Sequence, residues 1–173
     1  FSLLFFFLVG CAVPVRPVGK VAWKKEGESA VSLLQKMIRT DTTSSPGVRG
    51  GKETVLLLQV KEFLAAQGVK SHIYESAPGR GNLIARYRGG GTKKPMMIMA
   101  HVDVVNSEPS MWETDPFSGE IRDGFVWGRG AIDDKGMAAV GVQVMTLLGR
   151  RRPPLERDVI LMLNGDEESG GIY

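Results

Sequence analysis

Cysteine is nearly missing: Cys11 stands alone in 173 residues. One thiol cannot close an internal disulfide, and without a Cys-x-x-Cys pair a thiolate structural zinc site is excluded. Histidine is scarce as well, with only His72 and His101. No apolar run is long enough to span a bilayer alone, which takes about 20 residues; Phe1 to Val9 holds eight apolar side chains and one serine. No Gly-x-x-x-x-Gly-Lys-Ser/Thr phosphate loop is present. No Gly-x-Ser-x-Gly elbow frames Ser169, which argues against a serine hydrolase. The net charge of +3 comes from Arg16, Lys20, Lys24 and Lys25 in the acid-free first 25 residues, leaving the remainder at −1. A basic stripe for nucleic acid is therefore lacking. Arg150-Arg151-Arg152, beside Pro153, reads as a solvated helix terminus.

What is present is an alternation of helical and strand patterns long enough for one sizeable core. Residues 10–25, rich in Val, Pro and Gly, read as a linker or arm. From Glu26 to Arg39, Ala30, Leu33, Leu34, Met37 and Ile38 recur at helical spacing. A Thr, Ser, Pro and Gly-rich loop, 40–51, ends that helix. A second helix is expected over about 53–67, stopped by Gly68. Strands are expected over 69–74, 82–88, 96–100 and 157–164. The turn at Gly89-Gly90-Gly91 suggests a hairpin between the second and third of them. Asn106 to Ser118 is a long irregular loop, and such loops are often functional. Glu120 to Trp127 resembles a small hairpin turned at Asp123-Gly124, and Gly136 to Leu148 a largely buried helix broken by 150–154. These elements make an α/β layered domain.

The chemistry-bearing residues gather after strands or beside a hairpin, where open α/β sheets build their sites. His101 and Asp103 follow the Met96-Met97-Ile98-Met99-Ala100 strand, on one side of an extended backbone. A neutral imidazole is a good metal ligand, and a carboxylate on its other ring nitrogen fixes the tautomer. Asp133 and Asp134 sit in a glycine-rich turn before a helix; capping explains one acid but not two. Asp166-Glu167-Glu168 follows the last strand and by itself reads equally as a solvated turn. His72, flanked by Ser71 and Ile73, reads as structural. Arg129 and Lys135 are the nearest bases, expected to pair with local acids. One histidine and several carboxylates at strand ends have the composition of a zinc site.

Four motifs occur in order: Met99-Ala100-His101-Val102-Asp103-Val104-Val105; Trp112-Glu113-Thr114-Asp115-Pro116-Phe117-Ser118-Gly119; Trp127-Gly128-Arg129-Gly130-Ala131-Ile132-Asp133-Asp134-Lys135-Gly136; and Gly165-Asp166-Glu167-Glu168-Ser169-Gly170-Gly171. Together they resemble the M20 family of metallopeptidases, and most nearly its branch of carboxypeptidase S and N-acyl-amino-acid hydrolases. The resemblance covers 26–173. It implies a three-layer α/β/α zinc-peptidase catalytic domain, with His101, Asp133 and Glu168 as metal ligands and Asp133 bridging two zinc ions. Asp103 would orient His101, Glu167 would be the general base, and the Asp133-Asp134 peptide would be cis. The implied substrate is a peptide or N-acyl amino acid cut beside a free carboxylate.

Another acidic ligand, a late histidine and an inserted lid or dimerisation domain belong to the family pattern and are not found up to Tyr173. The chain thus reads as an amino-terminal fragment, with 1–25 as the remnant of a signal or membrane anchor plus linker. As such it is expected to be inactive alone and poorly soluble. Leu8-Val9-Gly10-Cys11 also resembles a lipoprotein cleavage site. Export or membrane association is the expected location, with a cytoplasmic or vacuolar one still open. The competing reading is a non-catalytic or non-functional truncated member of the same fold, acting at most as a binding or structural protein.

Overall fold

The computed structural model describes residues 19–45, 47 and 49–172. The apolar stretch 1–9 and most of the 10–25 arm lie outside the described residues. In chain order the elements are α1 (Trp23–Ile38), α2 (Glu53–Ala66), β1 (Ser71–Ala77), β2 (Arg80–Tyr87), β3 (Met96–His101), β4 (Ile121–Arg122), β5 (Phe125–Val126), α3 (Lys135–Arg151) and β6 (Val159–Asn164). A single 3-10 turn, Pro109–Met111, interrupts the long loop before β4.

The main sheet runs β1-β2-β6-β3. β1–β2 and β2–β6 are antiparallel, and β3–β6 is parallel. The hairpin expected between β2 and β3 is therefore not formed, because β6 is inserted between them. The glycine turn pairs instead with the segment leading into β6: Gly90 N–H donates to Leu155 O at 2.7 Å and Thr92 N–H to Glu156 O at 3.0 Å. At Gly89 an added Cβ would lie 2.2 Å from Arg157 O, so this contact needs glycine. Two strands far apart in sequence outcompete the local pairing because β6 is apolar on both faces and suits a central position.

β6 alternates between buried and half-buried residues. Val159, Leu161 and Leu163 face a core shared with Leu83 and Ala85 of β2, Ala100 of β3, Leu56, Leu57, Val60 and Leu64 of α2, Ala138, Ala139, Val142 and Met145 of α3, and Leu33 and Met37 of α1. Burying each of the larger aliphatic side chains is worth about 1.5–3 kcal/mol. At Gly141 a Cβ would lie 2.8 Å from Leu161 Cδ1, so α3 approaches the sheet closely there. The alternate residues of β3, Met97 and Met99, are 54% and 64% exposed. The described residues thus supply the sheet and the helical layer on one of its faces.

Most element boundaries agree with expectation to within three residues. α1 begins three residues earlier than the apolar pattern, and α3 runs through Arg151, where Arg152 caps it at φ 48° with its N–H on Leu148 O. The β4–β5 hairpin turns at Asp123 (φ 53°) and Gly124 (φ 83°) as read. No helix among the described residues is long and apolar enough to cross a membrane.

Candidate metal centre

β3 and β6 are parallel neighbours with His101 opposite Asn164. Their following loops therefore leave the sheet at one edge and carry Asp103 and Glu167-Glu168 to the same place. The turn into α3 delivers Asp133 there, since α3 packs on β3.

The imidazole of His101 stands between two carboxylates. Its Nδ1 is 3.1 Å from the backbone O of Asp103 and 3.4 Å from Asp103 Oδ1. Its Nε2 is 2.9 Å from Asp133 Oδ1 and 3.8 Å from Glu167 Oε2. Ligand atoms of His101, Asp133 and Glu168 all lie within 4.8 Å of one another. His101 is largely buried, whereas Asp133 and Glu167 are open to solvent.

Asp103 is fully buried and does two jobs. Besides facing His101, its Oδ1 accepts the Glu167 N–H at 3.2 Å and its Oδ2 the Glu168 N–H at 3.0 Å. Burial disfavours its ionised form, but the hydrogen bonds from His101 and the two amides outweigh that and hold its carboxyl below the usual value. The Asp103 carboxylate is also the main reason the His101 pKa is pushed up to about 9, with Asp133 adding to it against the effect of burial. Glu168 shifts upward, first by burial and then by the negative charges of Asp133, Glu167 and Asp103. Asp134 is raised too, by burial before all else.

The alternatives weighed for the acids resolve differently. Asp134 stands at the N-cap of α3 without a side-chain capping hydrogen bond, so neither acid of the pair is spent on a cap. The Asp133-Asp134 peptide is cis. The 166–168 run is not a solvated turn throughout, because Asp166 is fully buried at φ 72°. His72 lies on the outward side of β1, its ring 6.5 Å from that of Tyr74, away from the cluster.

The two bases do not pair with neighbouring acids as expected. Lys135 is fully buried, its Nζ donates to Thr40 O at 2.9 Å, and burial lowers its pKa to about 8. Arg129 donates to Asn106 O at 3.4 Å and lies 5.2 Å from the Trp112 ring centre. Both make contacts whose partners lie far away in sequence, out of reach of a local reading.

A set of polar residues beneath the acidic turn escaped the sequence analysis. Arg80 Nη1 donates to Glu53 Oε1 at 2.7 Å and to Ser44 Oγ at 2.5 Å, and lies 3.5 Å from Asp166 Oδ1. Ser44 Oγ in turn contacts Ser169 Oγ. The available signal was a lone arginine between glycines, Gly79-Arg80-Gly81, because glycine in or beside a strand marks close backbone approach.

The donor set fits a divalent ion. One imidazole nitrogen and two carboxylates converge, a third carboxylate is adjacent, and among the described residues His101 is the only basic side chain in ion-pair distance of Asp133 or Glu167. Crowded like charges of this kind are relieved by a cation, and a nitrogen-plus-oxygen set suits zinc among the common metals.

Residues 97–173 match the family model described as peptidase family M20/M25/M40. The chain is 32% identical over 155 residues to an N-fatty-acyl-amino acid synthase/hydrolase of Xenopus tropicalis, covering 86% of this chain and 30% of that protein. It is 33% identical over 147 residues to a succinyl-diaminopimelate desuccinylase of Methylorubrum extorquens, covering 83% of this chain and 37% of that one. The chain thus spans about a third of the length of these curated relatives. Among solved structures, an M20 family metallo-carboxypeptidase from Sulfolobus solfataricus superposes with a TM-score of 0.70 at 26% identity, over 83% of this chain and 32% of that one. Human carnosine dipeptidase 1 shares the fold, with a TM-score of 0.72 at 20% identity, over 86% of this chain and 34% of that one. The motifs, the mixed sheet that brings them together and these likenesses agree: the chain belongs to the M20 family of metallopeptidases.

Proposed function

We propose that the protein is a zinc-dependent hydrolase that cuts an amide bond, in a peptide or an N-acyl amino acid, beside a free carboxylate. The observation that carries this reading is the convergence of His101, Asp133 and Glu168 within 4.8 Å at one sheet edge. The amide substrate class is supported by relatives named for N-fatty-acyl-amino acids and for succinyl-diaminopimelate.

His101, Asp133 and Glu168 would hold the metal. Asp133, which lies beside His101 and within reach of Glu168, would hold the metal together with both. A bound divalent ion supplies Lewis acidity toward the amide carbonyl and lowers the pKa of a water. Glu167, exposed at the mouth of the cluster, serves as the proton carrier: its carboxylate takes a proton from the attacking water and returns it to the leaving amine. Asp103 would keep the Nδ1 proton of His101 engaged and so leave Nε2 as the nitrogen to hold the metal.

Metal analysis of the intact protein combined with hydrolysis of dipeptides and N-acyl amino acids tests the reading. Bound zinc with turnover, and retained zinc without turnover in Glu167→Gln, supports it. Absence of both metal and turnover in the wild type would favour the non-catalytic member of the fold.

A further inference from the structure

Beneath the acidic turn lies a charged cluster closed off from solvent. Arg80 is 1% exposed, and Glu53 and Asp166 are 0% exposed. The cluster is built between backbone segments with no room to spare. A Cβ at Gly51 would lie 1.9 Å from Glu53 Oε2, one at Gly165 2.7 Å from Glu53 Cγ, and one at Gly79 1.9 Å from Gly51 O. The β1–β2 turn is clamped onto the start of α2 by Gly51 N–H donating to Pro78 O at 3.0 Å and Thr54 N–H to Gly79 O at 2.9 Å. This clamp brings Arg80 against Glu53.

Stability alone does not account for such a cluster. Taking two carboxylates and a guanidinium out of water costs several kcal/mol per ion before pairing, and apolar side chains of similar volume often pack as well or better. What the charged version adds is direction. Arg80 reaches both ends of the turn that carries the metal-binding acids: Asp166 on the near side directly, and Ser169 on the far side through Ser44. Asp166 also accepts the Ile172 N–H at 2.8 Å, which closes the loop over Glu167 and Glu168. From above, Asp103 holds the amides of the same two residues. The turn is therefore held at separate points, its amides by Asp103 and its two ends by Arg80 and Ser44.

We infer that Arg80, with Glu53 and Ser44, is a positioning device for the metal centre: it sets the orientation of the 166–169 turn so that the carboxylate of Glu168 faces His101 and Asp133. This rests on the metal-centre reading above. Arg80 is buried away from solvent and would act through the turn, not as a ligand. Its contacts to Glu53, Ser44 and Asp166 all run through Nη1, one bond further from the backbone than a lysine Nζ, so lysine keeps the charge but loses the reach and the fixed direction of the guanidinium.

The test is zinc affinity of the folded intact protein, measured by competition with a chromophoric chelator, alongside circular dichroism and Tm in excess chelator. Arg80→Lys is expected to bind zinc 10- to 100-fold more weakly while its metal-free spectrum stays native, the range seen when groups supporting a metal ligand are altered. Arg86→Lys, on the same strand but paired with Asp158, is the control and should bind as wild type. Should Arg80→Lys fail to fold, Ser169→Ala and Glu53→Gln decide, and weakened binding in either supports the inference. Folded variants that bind zinc like wild type overturn it and leave the metal centre standing. A wild type that binds no zinc overturns the metal-centre reading itself, and this inference with it.

Discussion

The Glu168 amide donates to Asp103 Oδ2 at 3.0 Å, linking the loop after β6 to the loop after β3. A buried carboxylate whose two oxygens each accept a backbone amide, and which also faces His101, makes these loops one rigid unit. Asp103→Asn leaves the shape but replaces one acceptor with a donor that meets an N–H head-on. Leaving a buried amide unsatisfied costs about 1–3 kcal/mol. The expected result is a loss of that size in chemical denaturation, with weaker zinc binding by the folded protein; an unchanged denaturation midpoint would contradict it.

How far the sequence foretold the site depended on whether partners were near in the chain. His101 ends β3 and Asp103 follows two residues later, and alternation alone put their side chains on one side of the backbone. Asp133 and Glu168 entered through motif resemblance, and their convergence rests on β6 lying beside β3, which the local pattern misread as a β2–β3 hairpin. Of the Glu53–Arg80–Asp166 cluster the sequence carried only the glycines flanking Arg80, because burial of three charged side chains follows from tertiary contacts between a helix start, a hairpin turn and the turn after a strand. Lys135 was assigned an acidic partner from its neighbours, yet it reaches the carbonyl of Thr40, across the fold.

Core packing offers an independent check. Leu161 is fully buried in the centre of the sheet, against α3 at Gly141. Leu161→Ala removes three carbons and leaves a cavity, and should cost about 2–5 kcal/mol in equilibrium unfolding. A loss below about 1 kcal/mol would mean that α3 does not pack on the sheet as described.

Acid sensitivity should trace in part to Asp158. Its Oδ1 accepts the Gly89 N–H at 2.7 Å and its Oδ2 the Arg86 Nε–H at 2.6 Å. The Gly89 amide, followed by Arg86, holds the carboxyl below its ordinary 3.8. A depressed folded-state pKa stabilises the fold above the ordinary value and loses that contribution as pH falls through the folded one. Asp158→Asn should therefore be less stable than wild type at pH 7, with the difference shrinking as pH drops below about 4. Tm curves from pH 7 to pH 2 that stay parallel would refute this.

Removing the metal should loosen the acidic edge rather than the core. Once chelated, Asp133, Glu167 and Glu168 repel one another, and hydrogen exchange should rise at 166–170 and 131–134 while the amides of β2 and β6 stay protected. Uniform exchange changes across the sheet would show that the ion supports the whole fold instead.

If His101, Asp133 and Glu168 together hold a divalent metal centre, anomalous diffraction at the zinc edge from crystals of the intact protein will locate it there. Anomalous density is expected within about 2.0–2.2 Å of His101 Nε2 and of carboxylate oxygens of Asp133 and Glu168, as one peak or as two. A zinc peak bound by other residues, with these three side chains pointing apart, would contradict it.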